Sequence, residues 1–284
     1  MANLKEIRNR IASVSSTMQI TSAMKMVSAA KLKKAQDAIT AMRPYADKLT
    51  ELLQNLSATL DADSGSKYSE QRDVKNVLIV AITSNRGLCG AFNSNIIKQA
   101  NTVAERYDAN VSVVAIGKKA NDALSKNFEV ISNQSSVYDE LTFDNVAQIA
   151  QMLMEQFESK AFDKIEIIYN KFKNAATQEV MTEQFLPIEP LEGDTNANLD
   201  YIFEPSKEEI VETLIPKSLK TQLFKAIRDS FASEHGARMT AMHKATDNAT
   251  ELRDQLKLTY NKARQAAITN EILEIVGGAE ALNG

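Results

Sequence analysis

Tryptophan is absent from this 284-residue chain, cysteine occurs once and histidine twice. The lone Cys89 excludes an internal disulfide and any site built from several thiolates, so the composition suits a reducing compartment. It reads as a small buried or loop residue rather than a reactive thiol. Aromatics make up only 6% of the residues, few for the aromatic-lined pockets that small-molecule sites favour. No run of about 18 apolar residues occurs, and Met1 to Arg10 leads straight into an amphipathic pattern, so neither a membrane span nor a secretory leader is expected. Glycine is the most telling scarcity. The first is Gly65, and between Lys207 and Val276 only Gly236 occurs. Both ends therefore read as long uninterrupted helices, with the α/β signals between them. A hydrophobic content of 44% is enough to bury a substantial core.

Charge is modest in total and uneven in placement. Residues 1–43 carry eight Lys or Arg against two acids, residues 44–206 carry 14 against 24, and residues 207–284 carry 11 of each. Within the last segment, Lys217 to Arg264 holds ten bases and five acids. The basic ends imply an acidic partner surface.

Asn3 followed by Glu6 resembles a helix cap, and apolar side chains follow at Leu4, Ile7, Ile11, Val14 and Met18 in steps of three and four. The seam is expected to skip between Thr21 and Met24, then resume as Ser28, Lys31, Ala35, Ala38, Met42, Tyr45, Leu49, Leu52 and Leu56. Such a skip changes supercoil winding locally without ending a helix. Pro44 is the one expected kink, and Asp61 to Asp73 reads as a linker. The second long helix is expected to open at Pro205, Ser206 and Glu209, to be interrupted at Pro216, and to continue with a seam at Ala245, Ala249, Leu252, Leu256, Thr259, Ala263, Ala266, Asn270 and Leu273. Small seam residues let backbones approach closely, so the two ends read as one antiparallel coiled coil, 1–60 with 206–284. At about 1.5 Å per residue such helices span roughly 80 to 105 Å, which predicts a shaft protruding from a smaller globule.

The middle, 74–190, reads as an α/β domain. Val77 to Ile82, Val111 to Ile116 and Ile165 to Tyr169 are apolar runs fit for strands buried on both faces. Val180 to Phe185 adds a further strand. Helical stretches fall at Asn93 to Arg106, Lys118 to Lys126 and Asn145 to Ser159, the last with Asp144 as its expected cap. That alternation predicts a Rossmann-like, mostly parallel sheet covered by helices, and Leu191 to Tyr201 returns the chain to the second long helix.

One loop stands out, Thr83 to Gly90, where the first strand turns into a helix, the usual ligand position in open α/β sheets. It lacks both the three-glycine dinucleotide pattern and the Lys-Ser/Thr of a phosphate loop. A tight turn presenting Arg86 to another protein is the stronger reading. His235 and His243 have no partners at metal-ligand spacing, and no nucleophile, base and acid grouping can be assembled. Neither metal, cofactor nor catalytic residue is expected. The first 43 residues contain no aromatic, which argues against a nucleic-acid stacking platform. A nucleotide-using α/β enzyme with a helical clamp, binding near Arg86 and Gly87, stands as the alternative, followed by a coiled-coil scaffold or nucleic-acid arm.

Three blocks carry a resemblance. Ile7 to Ile11 with Gln19 to Lys31, then Ser84 to Gly90 with its Arg-Gly-Leu-Cys-Gly core, then Ser233 to Asn248 with Tyr260 to Gly277 resemble, in that order, the gamma subunit family of F-type ATP synthases. The resemblance implies a non-catalytic central-stalk rotor. Its terminal helices would lie inside a ring of three alpha and three beta subunits, and its α/β domain would sit on the membrane-embedded c-ring with the epsilon subunit. It further implies that Arg264, Gln265 and Thr269 meet a loop of beta, that Met24 and Lys25 face acidic lever loops of alpha and beta, and that Arg86 and Cys89 belong to a partner-contacting loop. Two positions depart from the family pattern, with Ser22 where many members have Lys and Lys25 where many have Glu. The Cys-bearing insertion of the chloroplast form is missing, so thiol control is not expected. The chain start favours a bacterial protein, peripheral on the cytoplasmic face of the inner membrane.

Overall fold

A computed structural model describes residues 4–57, 67–188 and 207–283. The expected caps at Asn3, Pro205 and Ser206, the first part of the linker, and the Leu191 to Tyr201 return lie outside the described residues. Helix α1 spans Leu4–Ser57 and α5 spans Lys207–Asn283. Between them come strand β1 (Asn76–Ile82), α2 (Phe92–Ala104), β2 (Asn110–Ile116), α3 (Lys118–Leu124), β3 (Glu129–Asn133), a 3₁₀ turn at Ser135–Tyr138, α4 (Phe143–Glu158), β4 (Lys164–Phe172) and β5 (Gln178–Leu186). The chain divides into two units, one of residues 1–28 with 239–284 and one of residues 29–238.

In the larger unit the five strands lie in the order β3-β2-β1-β4-β5, parallel except for the antiparallel β4–β5 pair. The unbroken apolar run of β1 follows from burial on both faces. Leu78, Val80 and Ile82 enter one core with α4, while Val77, Ile79 and Ala81 enter a second core with α2 and α3. The first core is closed by α5, whose Ile215, Leu219, Leu223, Ala226 and Ile227 share one helical face. At about 1.5–3 kcal/mol for each large apolar side chain removed from water, that face holds α5 to the sheet.

This anchoring explains why Pro216 does not interrupt α5. The helix runs through it, because buried side chains on both sides outweigh the roughly 3 kcal/mol that an interior proline costs. Pro44 likewise lies within α1, with Ala46 and Leu49 buried beyond it. Three further expectations are corrected. The cap of α4 is Thr142, whose hydroxyl accepts from the Asn145 N–H, while Asp144 occupies the first turn, where its charge favours the positive helix end. Strand β3, not anticipated, is a short edge strand with alternating exposed and half-buried residues, too brief and too polar to signal itself.

The third correction concerns the seams. Along α1, Leu32, Ile39 and Ala46 are buried, whereas Lys31 and Tyr45 are exposed. The inward positions are Ile7, Ile11, Val14, Met18, Thr21, Lys25, Ser28, Leu32, Ala35, Ile39, Met42, Ala46 and Leu49. These keep the four-three step throughout, with Lys25 taking the seam place expected of Met24 and no skip. The side chains of Leu52 and Leu56 lie outside those described. Along α5 the inward set is Met242, Thr246, Ala249, Arg253, Leu256, Tyr260 and Ala263, while Leu252 and Thr259 are exposed.

Candidate functional site

The residues singled out from the sequence fall in two places, one in each unit. In the larger unit, the chain leaving β1 is knitted to its neighbours by its own polar groups. The Thr83 N–H donates to the Ile116 carbonyl at 2.8 Å, and the Thr83 hydroxyl accepts from the Ala120 N–H at 2.8 Å. Ser84 N–H donates to the Asn93 amide oxygen at 2.9 Å, and the Asn93 amide nitrogen donates to Ser84 Oγ at 2.9 Å and Cys89 Sγ at 3.2 Å. Asn85 bridges outward, donating to the Ser135 carbonyl and accepting from the Lys118 N–H, both at 2.9 Å. Leu88 and Gly90 take left-handed backbone conformations, at φ 61° and 60°, which folds the loop back on itself.

Helix α5 braces this loop from inside. Arg238 donates to the carbonyls of Arg86 at 3.2 Å and Gly87 at 3.3 Å, and its other guanidinium nitrogen meets Glu234 at 2.6 Å. Ala237 packs with Cys89 and Phe92. Gly236 lets α5 lie close to the β4–β5 turn as well, since a Cβ there would stand 3.2 Å from the Ala175 Cα and carbonyl oxygen. Tyr138 donates from its hydroxyl to the Thr83 carbonyl at 2.9 Å and stacks with Phe231, which meets His235 edge to face. The end of β1 where open α/β sheets usually hold ligands is thus packed against α5, whose Arg238 guanidinium is committed to protein acceptors.

Burial sets the local electrostatics. It pushes the Glu234 carboxyl above the ordinary carboxylate range, against the opposing pull of Arg238. It pushes the Cys89 thiol up and, helped by the positive charges of Arg238 and Lys31, brings His235 down to about 4. His235 is therefore neutral at pH 7. Cys89 is 1% exposed, so its side chain faces inward. The loop presents Arg86 and Leu88 outward, the latter 64% exposed.

In the smaller unit the two terminal segments pair side by side. Arg8 donates to the Tyr260 hydroxyl at 2.8 Å with its guanidinium 5.7 Å from the ring centre. Arg253 reaches Met18 Sδ at 3.4 Å, Thr21 and Thr246 share a hydroxyl hydrogen bond at 2.8 Å, and Lys25 Nζ lies 3.3 Å from His243 Nδ1. As α1 numbers rise from 8 through 18 and 21 to 25, their partners fall from 260 through 253 and 246 to 243. The pairing is antiparallel. Met24 is half-buried beside it, while Arg264, Gln265 and Thr269 are exposed. So are Ile268, Ile272, Leu273, Ile275 and Val276, each at least 48% exposed. Among the described residues no cluster of His, Cys, Asp or Glu could hold a metal ion, and no helix is long and apolar enough to cross a membrane.

The family model described as ATP synthase matches residues 3–282. The ATP synthase gamma chain of Flavobacterium psychrophilum is 77% identical over 286 residues, covering all of both chains. The chain belongs to the ATP synthase gamma-chain family. The gamma chain of Flavobacterium johnsoniae is 76% identical over the same length, again with full coverage of both. Among solved structures, the central stalk and c-ring of the Tetrahymena thermophila mitochondrial ATP synthase matches with TM-score 0.59 and 26% identity, covering 80% of this chain and 99% of that one. The rotor of the Euglena gracilis mitochondrial enzyme shares the fold, with TM-score 0.68 at 24% identity over 93% and 98% of the two chains. Within this family member, sequence reasoning missed Glu234, Arg238 and Tyr138. The i,i+4 acid and base inside the Ser233 to Asn248 block was the available signal. What it could not say was that both charges would be buried.

Proposed function

We propose that this family member acts as the central-stalk rotor of ATP synthase, carrying torque along its paired terminal helices between a proton-driven ring and a catalytic head. The observation that carries this reading is the register of the four contacts from Arg8–Tyr260 to Lys25–His243, which ties the two helices against sliding. Catalysis belongs to beta, so the chain is not an enzyme by itself. Its partners are three alpha and three beta subunits, the epsilon subunit and the c-ring, and it is held peripherally at the cytoplasmic face of a bacterial inner membrane through the complex. In this proposal residues 1–60 and 206–284 form the shaft and 74–190 the foot. Arg264, Gln265 and Thr269 meet beta, Met24 meets the levers while Lys25, expected beside it there, is turned into the helix pair toward His243, and Arg86 offers a cation to a partner while Cys89 shapes that loop from within. Exposed charges on a moving surface suit this work, because each pair is worth little and is readily remade.

The test is the double substitution Ala249→Leu and Ala263→Leu. Both residues face inward, Ala249 at 8% exposure, and overpacking costs about 1–3 kcal/mol at each. In vesicles carrying the reconstituted complex, ATP hydrolysis should persist while ATP-driven proton pumping falls. Unchanged pumping per ATP hydrolysed would refute the rotor reading.

A further inference from the structure

Where Lys25 of α1 meets α5, one nitrogen atom has two suitors with opposite requirements. His243 Nδ1 lies 3.3 Å from Lys25 Nζ and 3.4 Å from Asp247 Oδ2. An ammonium can only donate, so the contact with Lys25 needs an Nδ1 that carries no proton. A carboxylate can only accept, so the contact with Asp247 needs an Nδ1 that carries one. The first contact joins the two helices. The second, between residues four apart on α5, does not.

We propose that His243 is a proton-operated latch between the terminal helices. The neutral ring, protonated at Nε2, accepts from Lys25 and ties α1 to α5 at that level. Protonation at Nδ1 turns the ring toward Asp247, places a second cation beside Lys25 and releases the cross-link. The charged groups facing the ring are Lys25 from α1 and Asp247 from α5. Histidine is the side chain suited to such a switch because its two protonation states differ in which nitrogen can donate. Its placement matters because Lys25 occupies an inward position of the α1 seam, next to the Thr21–Thr246 bond. Opening the latch frees the one lysine in that stretch of the seam and loosens the helix pair locally. The other histidine does not compete for this role, since His235 is buried in the larger unit against Phe231. The proposal concerns the helix pair itself and stands whether or not that pair carries torque.

The experiment is a pH titration of the full chain, labelled with ¹⁵N in its two histidines, with His243→Gln identifying the His243 signals. At pH 8 the nitrogen shifts should show Nδ1 unprotonated. Lys25→Met removes the neighbouring cation and should raise the midpoint, and Asp247→Asn removes the acceptor of the protonated ring and should lower it, each by on the order of half a pH unit for exposed pairs. Backbone hydrogen exchange near residues 22–28, corrected for intrinsic rates, should quicken on acidification in the unsubstituted chain and lose that dependence in His243→Gln. An Nδ1-protonated tautomer at pH 8, or midpoints unmoved in both variants, overturns the latch. So does an exchange response that survives His243→Gln.

Discussion

Replacing Arg238 by Met tests whether the brace under the 83–90 loop is a buried charge pair whose members depend on each other. The Glu234 and Arg238 side chains are only 10% and 9% exposed and meet at 2.6 Å. Removing the cation strands a carboxylate in a place where burial already disfavours its charge, and breaking such a pair from one side costs about 3–5 kcal/mol. The carbonyls of Arg86 and Gly87 lose their donor at the same time. With a urea dependence of about 2–3 kcal/mol per molar, the unfolding midpoint of the full chain should drop by about 1–2.5 M. Removing both charges, as Glu234→Met with Arg238→Met, leaves the unpaired carbonyls but no stranded charge. The double variant should therefore recover about 2 kcal/mol relative to the single one. The loss in Arg238→Met should also shrink in acid, because a protonated Glu234 has no charge to desolvate. A double variant as unstable as the single one, with no relief in acid, would show that the loop is held by packing alone.

The buried His235 predicts an acid limb. Its folded value of about 4 lies below the ordinary 6.5, so the unfolded chain binds more protons between them. The contribution is complete above about pH 6.5 and is lost as pH falls to about 4, up to about 3 kcal/mol. Glu234, raised on folding, works in the opposite sense, and comparing the unsubstituted chain with His235→Phe in urea unfolding across that range isolates the histidine part. Gly117→Ala should destabilise by about 3 kcal/mol or more, since its Cβ would stand 2.2 Å from the Thr83 carbonyl oxygen at a φ of 112°. Gly87→Ala, which meets nothing within 4 Å, should change the urea midpoint little. Cys89, buried with its thiol pushed up, should resist a thiol reagent in the native chain and react once on denaturation.

Residue order alone carried the element types. Glycine-poor ends of 54 and 77 helical residues and the apolar runs of β1, β2 and β4 announce themselves because helix and buried strand impose different spacing on hydrophobic residues. The Arg-Gly-Leu-Cys-Gly loop and the two flanking helical blocks also sufficed to indicate the family. Beyond that, local pattern was silent. Lys31 and Leu32, or Leu252 and Arg253, differ by one step of about 100° around a helix, and which one turns inward depends on the partner helix rather than on its own neighbours. Thus Lys25, Arg253 and Tyr260 enter the seams although an apolar pattern passes over them. Pro216 stays helical because α5 is held by a core assembled from strands distant in the sequence. The burial of Glu234, Arg238 and His235 likewise arises only where α5 crosses the end of the sheet, since a charge pair four residues apart reads the same on a solvated helix as on a buried one.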